Sequence, residues 1–313
     1  MSDIIDIKMR ILPEGYTRSM NHSELALLCF GFLVLFSFVR KAEREKGISL
    51  DYRVSEQLKG ISIILVIFGH LCANGFIDIP SLKFSGAQGV SIFLILSGFG
   101  LTKSYLKNGM NGSFFIKRFK TVLLPYMLVT VSVILLDYIT HKNSIPKSVI
   151  LSSMFGLNMM VDPTMWYISF IFLFYISFYV IFSLNINNLI KLMILVLFSC
   201  LIKFNVPSNS SLLNAPYEYS LHAFAFPIGV MIALYSQQLL FFIKNIKVQV
   251  FYLAAIALSM LIGFVISYKY IAIEHQTIYT YINLLLALSL IIIVTLLRYA
   301  GRESNFLALI GKY

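Results

Sequence analysis

Charge is in short supply in this chain. Of its 313 residues only 12% are Asp, Glu, Lys or Arg, against roughly a quarter in a typical soluble domain. A surface so poor in charge excludes an ordinary soluble fold. Cysteine is also rare: Cys29, Cys72 and Cys200 stand singly within apolar runs. With no CxxC pair there is no disulfide framework to read, and all three look like inert packing residues. No phosphate loop, GxSxG elbow or dinucleotide fingerprint is present, which removes the common nucleotide-binding and hydrolase signatures. No His/Cys/Asp/Glu spacing suggests a metal site, so none is expected. Internal repeats and low-complexity tracts are absent as well.

What the chain has in quantity is apolar sequence, at 58% of all residues. Many runs reach the roughly 20 residues that cross a hydrocarbon core, and they do not alternate in polarity as barrel strands would. The expected fold is all-α: a polytopic transmembrane helical bundle with about nine spanning helices plus the start of another. The expected spans are 24–40, 58–77, 87–107, 119–139, 163–184, 188–204, 219–241, 249–268 and 277–297. The stretch 148–160 is too short and polar to span and reads as an interfacial or re-entrant piece.

The formal net charge of +11 would suit nucleic acid in a soluble protein, but here Lys and Arg fall mostly between the apolar runs. No nucleic-acid partner is therefore expected; the partner is the lipid bilayer. Under the nine-span assignment one set of loops holds sixteen Lys and Arg and the other eight. The positive-inside rule puts the richer set, with 40–59 and 103–120, in the cytoplasm. Residues 1–50 then read as an outer tail and an extra membrane helix, and 51–313 as the main membrane domain. The run 24–40 follows 23 residues and precedes Arg40-Lys41, which suits an anchor better than a cleaved signal.

Chemistry-bearing residues stand out against this apolar background. His70 ends the run LKGISIILVIFGH, which starts beside Lys59. Eleven residues of helix rise about 16 Å, which places the imidazole near mid-membrane or beyond. Such a group is either a functional residue or a histidine bonded to a neighbouring helix. Imidazole is suited to take a proton from a hydroxyl near neutral pH. Asn74, four residues on, reads as a ring-orienting group, an oxyanion donor or a polar residue of the helix end.

Lys117, Arg118 and Lys120 in FFIKRFKTVLLPY gather at a helix entrance, where they read either as phosphate ligands or as topology determinants touching lipid headgroups. GAQGVSIFLILSGFG offers small residues for close helix packing, with Gln88 and Ser91 as polar positions without an assigned role. Trp166 and Tyr167 read as interfacial anchors. Glu218 and His222, four apart, read as a pair at an outer helix end, structural or part of an acceptor site.

Taken together, LKGISIILVIFGH, GAQGVSIFLILSGF, RFKTVLLPY, MWYISFIFLFY and FAFPIGV resemble, in order and spacing, the acyltransferase 3 family of integral-membrane enzymes. The resemblance covers roughly 51–313. It implies a membrane-bound O-acyltransferase, most often an O-acetyltransferase, which moves an acyl group from a coenzyme A thioester to a hydroxyl of an envelope polysaccharide or glycolipid. Acetyl-CoA or another acyl-CoA would be the donor substrate, with no tightly bound cofactor, and the inner (plasma) membrane the location. The family pattern of a basic residue, ten residues and a histidine falls on Lys59 and His70, which makes His70 the catalytic candidate. Arg53 matches a basic residue ahead of the same helix, and Arg53, Lys59, Lys117, Arg118 and Lys120 are the candidate donor-binding residues.

Two departures from the family pattern stand out. Thr121 occupies the place of the second Arg in the family's Arg-x-x-Arg. The closing LALIGKY looks like the opening of a further family segment, so the domain reads as C-terminally truncated. The competing readings are a glycan or lipid-precursor transporter and an inactive truncated family member. The lack of related halves counts against a transporter.

The expected orientation is testable by labelling single cysteines in a cysteine-free background. Asn74→Cys reacts with a membrane-impermeant maleimide in intact cells and Asn111→Cys does not; the reverse pattern contradicts the assignment.

Overall fold

The computed structural model describes residues 39–41, 50–77, 85–141, 145–158, 161, 166–205, 217–236, 238 and 276–312. The expected span 249–268 and most of 24–40 lie outside them. Among the described residues, six helices are long and apolar enough to cross a membrane, and Glu218–Leu234 is a shorter apolar segment. The fold is an all-α bundle, as the apolar runs imply.

The first spanning helix, α1 (Tyr52–Ala73), begins earlier than the expected 58 because Asp51 caps it, its Oδ1 accepting from the Val54 amide at 2.7 Å. α2 (Ser85–Asn108) follows antiparallel to α1. A short helix α3 (Phe114–Arg118) runs through a π-helical turn (Phe119–Leu123) into α4 (Leu124–His141). The turn has a local cause: Pro125 has no N–H, so the carbonyl four residues back loses its helical partner, and the chain widens just ahead of it. The Leu124 amide reaches back to the Phe119 carbonyl.

The eight-residue α5 (Lys147–Met154) is indeed too short to span. α6 (Trp166–Ser183) and α7 (Asn188–Asn205) form the next pair. The expected continuous span 219–241 is instead broken into α8 (Glu218–His222) and α9 (Ala225–Leu234), with a turn at Ala223–Phe224. The break follows from packing, since His222 and Phe226 are both held by other helices. α10 (Gln276–Tyr299) and α11 (Asn305–Lys312) close the chain.

One expected helical end is corrected. Val39 and Arg40, assigned by the apolar run to the end of 24–40, form strand β1 (Val39–Lys41) together with Lys41, and it pairs antiparallel with β2 (Arg302–Ser304). Gln57 Oε1 accepts from the Ser304 amide at 2.7 Å, which ties this ribbon to α1.

α2 is the hub, packed against α1, α9 and α10. In lipid the surroundings are as apolar as the side chains, so helices associate through close packing and hydrogen bonds. Glycines supply the closeness here. A Cβ on Gly98 would overlap the Phe226 carbonyl oxygen, one on Gly229 the Ile95 carbonyl oxygen, and one on Gly89 would come within 2.6 Å of the Ser62 carbonyl oxygen. α11 crosses α1 in the same manner at Gly60 and Gly311. Beside the hub, α6 buries Phe170, Phe174, Phe178 and Phe182 as one stripe at helical spacing; Phe174 stacks on Phe226 at 5.0 Å. The segment through α4 is the least buried span and turns Leu128, Val129, Leu135 and Leu136 outward.

Gly98→Val forces α2 and α9 apart and is expected to destabilise the protein by about 1–3 kcal/mol. Gly100, whose Cβ position meets nothing within 4 Å, accepts Ala without loss. Thermal unfolding in detergent separates the two: equal effects would contradict the seam.

Candidate functional site

The Lys- and Arg-rich end and the opposite end of the bundle present different chemistry. At the basic end Arg118 closes α3, directly before the π-helical turn. Its guanidinium carbon lies 5.9 Å from the Tyr175 ring centroid, within cation–π range. Its Nε is buried and meets no hydrogen-bond partner among the described residues. Lys117 and Lys120, by contrast, are exposed. Thr121 turns its hydroxyl back to the Lys117 carbonyl at 2.8 Å and supplies no charge.

Arg53 is exposed and lies 3.8 Å from buried Glu56, while Lys59 is partly buried. Of the five expected donor-binding residues, the structure turns only the Arg118 side chain against the aromatic core through Tyr175, itself 3% exposed. Lys191 is 3% exposed; it donates to the Tyr105 hydroxyl at 2.8 Å and the Phe182 carbonyl at 3.2 Å. It clamps the basic ends of α2, α6 and α7.

His70 lies in the last turn of α1, at the opposite end and exposed. Seventeen residues separate it from Arg53, about 26 Å of helix. Asn74 does not orient the imidazole; its Nδ2 and its amide both donate to the His70 carbonyl, at 2.9 and 3.0 Å, and so cap the helix. Next to His70, Gly69 packs on the Gly86 backbone of α2.

Between the two ends the core holds polar groups that the sequence did not single out as a set. The phenols of Tyr167 and Tyr175 both neighbour the Ser97 hydroxyl, and Tyr175 also neighbours Arg118. One α-helical stretch further along α2, Ser91 Oγ lies 2.9 Å from His222 Nδ1 and accepts from Asn283 Nδ2 at 2.8 Å. Ser91 and Asn283 are 0% exposed and His222 2%. The His222 ring stacks on Trp166, centroids 5.4 Å apart. Close by, Lys203 donates to Thr280 Oγ1 at 2.7 Å.

Two expectations are corrected here. Trp166 is 8% exposed and packs in the core against His222 and Phe170; it is no interfacial anchor. His222 is not an exposed partner of Glu218: as the last residue of α8 it is 2% exposed and lies against Ser91. A signal for this cluster was present, since polar residues inside apolar runs are functional candidates by default. Its members lie 131 and 192 residues apart, so periodicity does not join them. Among the described residues no group of three or more His, Cys, Asp or Glu is placed to hold a metal.

Arg118 and His70 thus lie at opposite ends of an apolar helical bundle. A family model described as an acyltransferase domain, Acyl_transf_3, matches residues 53–313, and the chain belongs to that acyltransferase 3 family. It is thus a membrane-embedded acyltransferase, a transferase of groups other than aminoacyl. Comparison with curated proteins and with solved structures returns no match.

Proposed function

We propose that this acyltransferase takes an acetyl group from acetyl-CoA, or another short acyl group from its coenzyme A thioester, and places it on a hydroxyl of an envelope polysaccharide or glycolipid. It works as a multi-pass protein of the inner membrane, with its basic end in the cytoplasm. The observation that carries the reading is Arg118. A guanidinium held against Tyr175, with a buried Nε that has no partner among the described residues, is an anion site in waiting. The pyrophosphate and ribose phosphate of coenzyme A match it, because Arg binds phosphate bidentately. The π-helical turn starts at the next residue, and such turns are frequent at functional sites. Lys117, Lys120, Arg53 and Lys59 surround the donor with positive charge at the mouth.

His70 serves the acceptor side. Its imidazole, exposed at the end remote from the basic mouth, takes the proton of an acceptor hydroxyl as that oxygen attacks the acyl carbon.

The test is turnover of labelled acetyl-CoA by membranes holding the chain. Arg118→Gln raises the donor KM by about 10- to 100-fold, the worth of a charge-assisted hydrogen bond. His70→Ala lowers transfer by about 100-fold or more with donor KM unchanged. Unaltered kinetics in both variants would overturn these roles.

A further inference from the structure

The donor and acceptor residues just described stand at opposite ends of the bundle, and the core between them holds a serine arranged as a nucleophile. Ser91 Oγ accepts from Asn283 Nδ2, so its own proton is free to point at His222 Nδ1, 2.9 Å away. A hydroxyl directed at an imidazole nitrogen, with a third group fixing its orientation, is the arrangement that activates a serine. Stacking on Trp166 holds the imidazole plane.

Asn283 gives a second and independent pointer. It is fully buried, yet its Oδ1 meets no hydrogen-bond partner among the described residues. With Nδ2 toward Ser91 the amide has more hydrogen-bonding capacity than Ser91 uses, which leaves Oδ1 vacant; the opposite orientation would accept the Ser91 proton instead of leaving it for His222. A buried amide left half satisfied costs stability, and a polar guest at Ser91 would offset that cost.

Position agrees with chemistry. Ser91 lies five residues deeper along α2 than Gly86, which meets Gly69 beside His70; this is about 7 Å of helix rise. Ser97, which neighbours Tyr167 and Tyr175, lies six residues deeper again, about 9 Å. Tyr175 then leads to Arg118. Polar groups therefore recur at intervals along α2 between the basic mouth and the His70 end, in a core otherwise built of Phe170, Phe174, Phe178 and Phe226.

We propose, resting on the coenzyme A reading above, that Ser91 carries the acyl group in transit, with His222 as its base. Ser91 Oγ attacks the thioester carbonyl carbon as His222 Nδ1 takes the serine proton, and the C–S bond breaks, giving acyl-Ser91 and coenzyme A thiolate. The acceptor oxygen, its proton taken by His70, then attacks the acyl carbon, the ester bond to Oγ breaks, and His222 Nδ1 returns its proton to Oγ; His70 releases its proton to water and the thiolate takes one up.

The experiment incubates the full chain in membranes with labelled acetyl-CoA and no acceptor, quenches in acid, and maps the label by mass spectrometry. The expected result is one acetyl group on the peptide containing Ser91. Ser91→Ala loses that label and slows transfer to added envelope glycan by about 100-fold or more. Ser91→Cys keeps the cluster's shape and takes the label as a thioester released by neutral hydroxylamine. Label on another residue, or Ser91→Ala and Ser91→Cys transferring at the wild-type rate, overturns the serine carrier and leaves the acyltransferase reading standing. Wild-type membranes that do not consume the thioester overturn both.

Discussion

Close backbone contact along α2 is the constraint on which the rest of this structure depends. Inside a bilayer, apolar side chains gain little by leaving lipid for one another, so helices stay together where their backbones can nearly touch. Gly89 brings α2 onto α1, and Gly98 with Gly229 brings it onto α9. Wider side chains at these points would push the neighbours outward and pull apart the groups on the rest of the helix. Ser91 and Ser97 sit on this same helix, and their partners on α8, α10 and α6 come within reach only because the hub is tight.

The polar content of the core is organised around that hub. Lys191 closes the basic end by bonding to Tyr105 and the Phe182 carbonyl, which satisfies a charge that would otherwise be costly to bury. Lys203 is satisfied by Thr280 toward the other end. Arg118 and Asn283 differ from both: each keeps a buried polar atom without a partner among the described residues. Buried groups are normally satisfied, and exceptions call for a reason. A donor phosphate at Arg118 and an acyl or hydroxyl guest at Asn283 are the reasons proposed above.

Much of the fold was legible because single helices are local objects. Run length located α2, α6, α7 and α10 to within a few residues and α1 less closely, and the small residues of GAQGVSIFLILSGFG correctly announced a packing face. Asp51 as a cap and Pro125 as the cause of a π-helical turn were written in the chain but outweighed by hydropathy. The candidate site was legible only in part. Spacing and family pattern single out Arg118 and His70 as candidates, whereas the two-residue break before α9 and the burial of His222 depend on helices far away in sequence. Trp166 shows the same limit, since an aromatic ring at a helix start looks like an interfacial anchor until its neighbours are known.

The most direct measurement is an experimental structure of the full chain in lipid with a non-hydrolysable acetyl-CoA analogue. The expected result is pyrophosphate density within hydrogen-bonding distance of the Arg118 guanidinium, with the acyl arm running past Tyr175 and Ser97 toward Ser91 and His222. Phosphates resting on the exposed lysines alone, with the arm lying outside the space between α2 and α6, would contradict it.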